Sequence, residues 1–187
     1  SIKEVKINGK TVQRIKINNK IVYERIRLIL SASNSFVRSG ETVLINLTCE
    51  NLPNTGIDLY KVIGLTKTKI TTLTTDENGE ASYTYTGTGA GEVGFIAEYD
   101  DLESDMVTVD DYVPVVNSVN LSISSAYVSY GTSVTFTATV KDQHNQNIPS
   151  GTVTFKDTLS GGTVIGTANI SNGVATLTKS NLSAGSY

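Results

Sequence analysis

The 187 residues include one cysteine, one histidine, one methionine, three prolines and no tryptophan. A lone Cys49 excludes an intrachain disulfide and says nothing about redox compartment. Any Ser-His-Asp triad would have to use His144, which lies in the polar run KDQHNQNIP, and no strained nucleophile turn of the G-x-S-x-G kind occurs. His144 therefore reads as a surface residue, and no catalytic motif is present. No apolar run approaches the ~18 residues that a membrane helix needs, so membrane insertion is not expected. The N-terminus is charged and alternating, without a secretory apolar region. No stretch sustains a 3.6-residue apolar period for three turns. Abundant Thr, Ser, Val, Ile and Tyr point instead to strands throughout.

What is present begins with a phrase stated twice. Val5-Lys6-Ile7-Asn8-Gly9-Lys10-Thr11-Val12 is followed by Ile15-Lys16-Ile17-Asn18-Asn19-Lys20-Ile21-Val22. Each is an alternating run, a turn dipeptide and a second apolar run, the pattern of a small β-hairpin. Residues 1–27 carry eight Lys/Arg against Glu4 and Glu24, a net of +6, while the remaining 160 residues carry a net of −9. Lysines alternating with Ile and Val solvate one face of a hairpin. Nucleic acid is not an expected partner, because Tyr23 is the segment's one stacking residue. Residues 1–25 are read as an attachment segment whose edges and charge suit a protein partner or a sister chain.

A second repeat has a longer period. Phe36–Val43 (FVRSGETV) aligns with Tyr127–Val134 (YVSYGTSV) at an offset of 91. Asn78-Gly79-Glu80-Ala81 aligns with Asn172-Gly173-Val174-Ala175, and Ala90-Gly91 with Ala184-Gly185, both at an offset of 94. Val43, Ile45, Leu47 and Cys49 fall on one strand face, which buries Cys49 and makes it a structural rather than a nucleophilic thiol. Further strands are expected over 26–32, 56–63, 67–74, 80–86, 92–99 and 104–109, then near 119–124, 132–141, 151–157, 163–170 and 173–179. Seven short strands in under about 100 residues suit an immunoglobulin-like sandwich. The expected organisation is all-β: hairpins over 1–25, a first sandwich over 26–111, a stiff linker over 112–118 and a second sandwich over 119–187. The second copy stops where the first continues for sixteen more residues, through Val109. The expectation is a piece of a longer protein, or a second domain completed by a neighbouring chain.

Two sets of residues stand out as binding candidates. The acidic runs Asp76–Glu80 and Asp100–Asp105, with Asp110 and Asp111 at the expected linker, offer oxygen ligands of the kind Ca²⁺ takes. EF-hand spacing is missing, and turn chemistry alone accounts for DENG. No cofactor is therefore expected beyond a Ca²⁺ ion on Asp110 and Asp111. Tyr83 and Tyr85 share a strand face and are the glycan-stacking candidates. Sequons occur at Asn46, Asn120, Asn169 and Asn181.

The phrases YVSYGTSVTFTATVKDQHNQNIPSGTVTFKD and NGVATLTKSNLSAGSY resemble the bacterial and archaeal immunoglobulin-like repeats found in invasin-type adhesins and in phage tail proteins. The family pattern is G-x-x-V-T-hydrophobic-T-A-T-V, then G-T-V-x-F, an N-G-x-A turn and an L-x-A-G-x-Y corner. The resemblance covers roughly residues 30–187, with DENGEASYTYTG as the first copy's best match. It implies a non-catalytic, extracellular scaffold or adhesion module on a cell surface or virion. A carbohydrate-binding module, or an accessory domain of a surface-acting enzyme, is the competing reading. Antibody-type domains are excluded, since Gly91–Tyr99 offers Cys49 no partner cysteine and no tryptophan packs between sheets.

Overall fold

The computed structural model describes residues 26–158, 161–180 and 182, with the backbone of 5–7, 10–12, 15–17 and 21–23. Every regular element among them is a strand, and the chain divides into two units, Ser1–Val113 and Pro114–Tyr187.

The repeated N-terminal phrases form two separate hairpins. β1 (Val5–Ile7) pairs antiparallel with β2 (Lys10–Val12), with Val5 opposite Val12. β3 (Ile15–Ile17) pairs with β4 (Ile21–Tyr23), with Ile15 opposite Tyr23 and Ile17 opposite Ile21.

The rest of the first unit is a two-sheet sandwich. Its strands are β5 (Arg27–Ala32), β6 (Phe36–Arg38), β7 (Thr42–Glu50), β8 (Gly56–Ile63), β9 (Thr66–Thr74), β10 (Glu80–Thr86), β11 (Gly91–Tyr99), β12 (Leu102–Glu103) and β13 (Val107–Tyr112). One sheet runs β10-β7-β5; the other runs β6-β13-β11-β8-β9, with β12 also on β11. Pairing is antiparallel except for β6 with β13, which is parallel. The two inner faces share one core. Leu28, Leu30, Val43, Ile45, Leu47, Cys49 and Tyr85 come from the first sheet, and Ile57, Leu59, Val93, Phe95, Ala97 and Val109 from the second. Burial alternates residue by residue along β7, as a strand with one face inward requires. At the centre of β11 Gly94 lets a neighbour close in, since a Cβ there would stand 2.5 Å from the Met106 sulfur.

The last strand differs from its expected span. It runs over Val107–Tyr112 rather than 104–109, with Gly91 opposite Asp111. Asp110, Asp111 and Tyr112 therefore belong to the sheet and not to a linker. The physical reason is inward packing: Val109, Asp111 and Tyr112 are all buried.

The second unit contains β14 (Val116–Ile123), β15 (Val134–Asp142), β16 (Thr152–Lys156), β17 (Val164–Asn169) and β18 (Val174–Lys179). Its described sheets are β14-β15-β18 and β16-β17. Val134, Phe136, Ala138, Phe155 and Ala175 form its core, with the Phe136 and Phe155 rings 6.1 Å apart.

The two units repeat one register. Leu30 pairs with Leu47 and Leu121 with Ala138, each 91 residues later. Ala81 pairs with Leu47 and Ala175 with Ala138, so the third strand is offset by 94, as the sequence alignment has it. Even a side-chain bond recurs. The Leu44 N–H donates to Ser33 Oγ at 3.0 Å, and the Thr135 N–H to Ser124 Oγ at 3.0 Å. The aligned Asn-Gly pairs occupy the same place, since Gly79 O accepts from Cys49 N–H and Gly173 O from Val140 N–H. Their turns differ, however. Asn172 and Gly173 both have positive φ, the type I′ arrangement, whereas of the first pair only Gly79 does.

Candidate functional site

The sequence candidates Tyr85 and Asp111 meet each other inside the first sandwich. β10 carries Tyr85 inward, β13 carries Asp111 inward, and the Tyr85 hydroxyl donates to Asp111 Oδ2 at 2.7 Å. The loop Gly87-Thr88-Gly89 wraps the same carboxylate. Thr88 N–H donates to both oxygens at 2.9 Å, Thr88 Oγ1 to Oδ2 at 3.0 Å, and Gly89 N–H to Oδ1 at 2.7 Å. The loop must be glycine-rich to come so close. A Cβ on Gly87 would lie 2.4 Å from Arg38 O and 2.9 Å from Asp111 Oδ1.

Electrostatics follows from this cage. Burial alone pushes the Asp111 carboxyl up. The N–H groups of Thr88, Gly89 and Ala90 and the Tyr85 hydroxyl outweigh it and hold the pKa down at about 2. The Tyr85 phenol is pushed up to about 12, by burial first and by its bond to the carboxylate second. Both sequence assignments are thereby corrected. Asp111 spends its lone pairs on protein donors and is fully buried, so it presents no ligating face to Ca²⁺. Asp110, its partly buried neighbour in β13, pairs with Glu92 and Phe36 in the sheet rather than standing at a linker. Among the described residues no group of three or more His, Cys, Asp and Glu is arranged to hold a metal. Tyr85 is buried with its ring edge-on to Phe95 at 5.2 Å, and Tyr83 packs partly buried against the same core. The buried Tyr85 offers no open ring face to a sugar.

The remaining candidates resolve into turns and surface pairs. Asp76 Oδ1 accepts the N–H groups of Asn78 at 2.8 Å and Glu80 at 2.9 Å, which holds its carboxyl below the ordinary value, the Glu80 bond counting most. Asp142 builds the same turn around His144. It accepts from His144 N–H at 2.9 Å and Gln146 N–H at 2.8 Å, and its own N–H donates to Gln146 O. Cys49 is buried, and desolvation raises its thiol to about 11, the wrong direction for a nucleophile. Asn46 is half-buried in β7, Asn120 and Asn169 are exposed in β14 and β17, and Asn181 lies outside the described residues.

Sequence reasoning missed one surface cluster. Lys67 on β9 bonds Glu98 and, at 2.8 Å, Glu103, while its Nζ lies 5.0 Å from the Tyr60 ring centroid. Lys69 meets Asp58 at 2.7 Å. These pairs solvate the outer face of the second sheet. Being exposed, they contribute little to stability.

Comparison with known proteins bears on the second unit. A search of curated protein sequences finds no match. Among solved structures, the chain is similar to the Escherichia coli adhesin FdeC, at 18% identity over 92% of this chain and 62% of that one, with a TM-score of 0.37. It is also similar to a Salmonella alpha-2-macroglobulin, at 15% identity over 86% of this chain and 13% of that one, with a TM-score of 0.40. For the native E. coli alpha-2-macroglobulin the figures are 14%, 95%, 14% and 0.40. The chain thus spans about 13% of the macroglobulin from Salmonella and less than two thirds of FdeC. Residues 121–187 match the bacterial Ig-like domain family, group 3.

Proposed function

We propose that this chain is a non-catalytic structural module of a bacterial cell surface, built from Ig-like sandwiches and attached through residues 1–25. The observation that carries the reading is the repetition of the β10-β7-β5 sheet, register for register, as β14-β15-β18 in a segment that matches the bacterial Ig-like family. A scaffold or adhesion element gains reach by repeating a rigid unit, whereas a catalytic chain has no need of a second copy. Three polar groups that drew attention in the sequence support the same reading, because Asp111, Tyr85 and Asp76 are spent on corners and turns.

Charge supports the role given to the N-terminal segment. The acidic excess is confined to the first sandwich: residues 28–113 carry four basic and fourteen acidic side chains, a net of −10, while residues 114–187 carry +1. A basic head is thus suited to an acidic partner, the first unit of a sister chain included. The test is deletion of residues 1–25. Both sandwiches are expected to keep their unfolding transitions while attachment to the producing cell's surface is lost. Unfolding of the first unit would instead make the hairpins part of its sheet.

A further inference from the structure

An open sheet edge presents unpaired N–H and C=O groups to any other chain, and proteins guard such edges with lysine, proline or bulges. In the first sandwich β9 ends one sheet and β10 the other. Of these, β9 is guarded: it carries Lys67 and Lys69, and its pairing with β8 shifts register between Leu59 and Tyr60. β10 has neither lysine nor proline, and its seven residues pair with β7 in unbroken antiparallel register. Among the described residues no strand pairs with its other edge.

The register decides which backbone groups stand open. Cys49 N–H donates to Gly79 O and Gly87 N–H to Glu41 O, so Ala81, Tyr83 and Tyr85 are the residues of β10 that bond to β7. The residues between them turn their backbone groups the other way. Glu80 is satisfied by its own turn, since its N–H donates to Asp76 Oδ1 at 2.9 Å and its C=O accepts from Asp76 N–H at 2.8 Å. Ser82, Thr84 and Thr86 follow, with their N–H and C=O groups on the open edge and their small side chains exposed.

Charge also separates the two edges. Residues 28–113 hold four basic side chains, Arg38, Lys61, Lys67 and Lys69, and all lie on the strands β6, β8 and β9 of the other sheet. The sheet that ends in β10 has only Arg27, at the start of the far strand β5, against Glu50 and Glu80, and Glu41 and Glu77 are exposed just outside its strands. A basic strand is thus favoured at β10 over β9. We propose that β10 is a strand acceptor whose occupant is a strand of the basic hairpins within residues 1–25 of a second copy. The incoming backbone bonds Ser82, Thr84 and Thr86, and Lys6, Lys10, Lys16 and Lys20 supply the charge that the acidic sheet attracts. The inference rests on residues 1–25 being the attachment segment and adds the surface that receives them.

The test follows the whole chain by sedimentation velocity and amide hydrogen exchange at low and high protein concentration. Association is expected as concentration rises, with exchange slowed by about tenfold or more at Ser82, Thr84 and Thr86. Thr84→Pro removes an open-edge N–H without removing a bond to β7, and is expected to abolish association while β7 keeps its protection. Thr84→Lys, which leaves the backbone intact and adds a like charge, is expected to do the same. So is the whole chain with Lys6→Glu, Lys10→Glu, Lys16→Glu and Lys20→Glu together. A chain that stays monomeric with these amides unprotected at high concentration would overturn the proposal. Association that survives the charge reversal would overturn it too, since β10 would then pair with itself. Protection in a chain that remains monomeric would do so as well, by making the chain's own segment the occupant. Loss of surface attachment on deletion of residues 1–25, with β10 unprotected in the whole chain, would overturn this inference alone and leave the proposed function standing.

Discussion

Asp111 is kept ionised inside the first sandwich by four donors from one loop and one tyrosine, and its protonation should be visible in stability. The folded pKa, about 2, lies below the ordinary carboxylate value of 3.8. The stabilisation is therefore complete above the ordinary value and lost as pH falls through about 2. A gap of that size is worth on the order of 2 kcal/mol. Asp111→Ala is expected to destabilise the first unit by about 3 kcal/mol at pH 7, because it strands buried donors, and to remove this share of the acid sensitivity. Urea unfolding at pH 7 and near pH 2.5 checks both. Cys49 offers a second test. Its thiol, raised to about 11 and buried in β7, should resist a maleimide in the folded chain and react fully in denaturant. Reaction at the rate of a free thiol would contradict the burial. The burial of Cys49 was legible from alternation in the sequence. The Tyr85–Asp111 bond was not, because the partners lie 26 residues apart and nothing local marks an aspartate that turns inward.

At the scale of elements, short apolar alternation and turn residues located most strands to within a few residues. They missed β6, a three-residue strand whose existence depends on parallel pairing with a partner about 70 residues later. They also put β13 too early, since the acidic look of Asp110 and Asp111 suggested a solvated linker. Turn glycines carry testable weight. Gly79 has φ +81, and a Cβ there would lie 2.2 Å from Cys49 O. Gly79→Ala is expected to cost about 2–4 kcal/mol, by backbone strain and by parting β7 from the turn. Asn78→Ala, one residue earlier and at negative φ, should cost under about 1 kcal/mol. The repeat makes a sharper comparison possible. Leu30→Ala removes a buried side chain and is expected to cost about 2–4 kcal/mol in the first unit. Leu121→Ala, its counterpart in an exposed place, should cost under about 1 kcal/mol in the second. Equal losses would mean that the two strands are equally covered in solution.

For the molecule as a whole, the absence of motifs in the sequence was more informative than any motif present. It directed attention to architecture, and the internal alignment at offsets of 91 and 94 is reproduced in the strand pairing of both units. Ligand assignments fared worse at this scale, because acidic and tyrosine side chains look alike in sequence whether they face solvent or close a corner. The distribution of charge, +6 then −10 then +1 along the chain, separates the N-terminal segment from the first sandwich and both from the second. The most direct test of the central claim, a structural module displayed outside the cell, is brief protease treatment of intact producing cells. Identification of the released peptides gives the readout. The expected result is release of peptides from both sandwiches without lysis of the cells. Peptides that appear only after the cells are broken would contradict it.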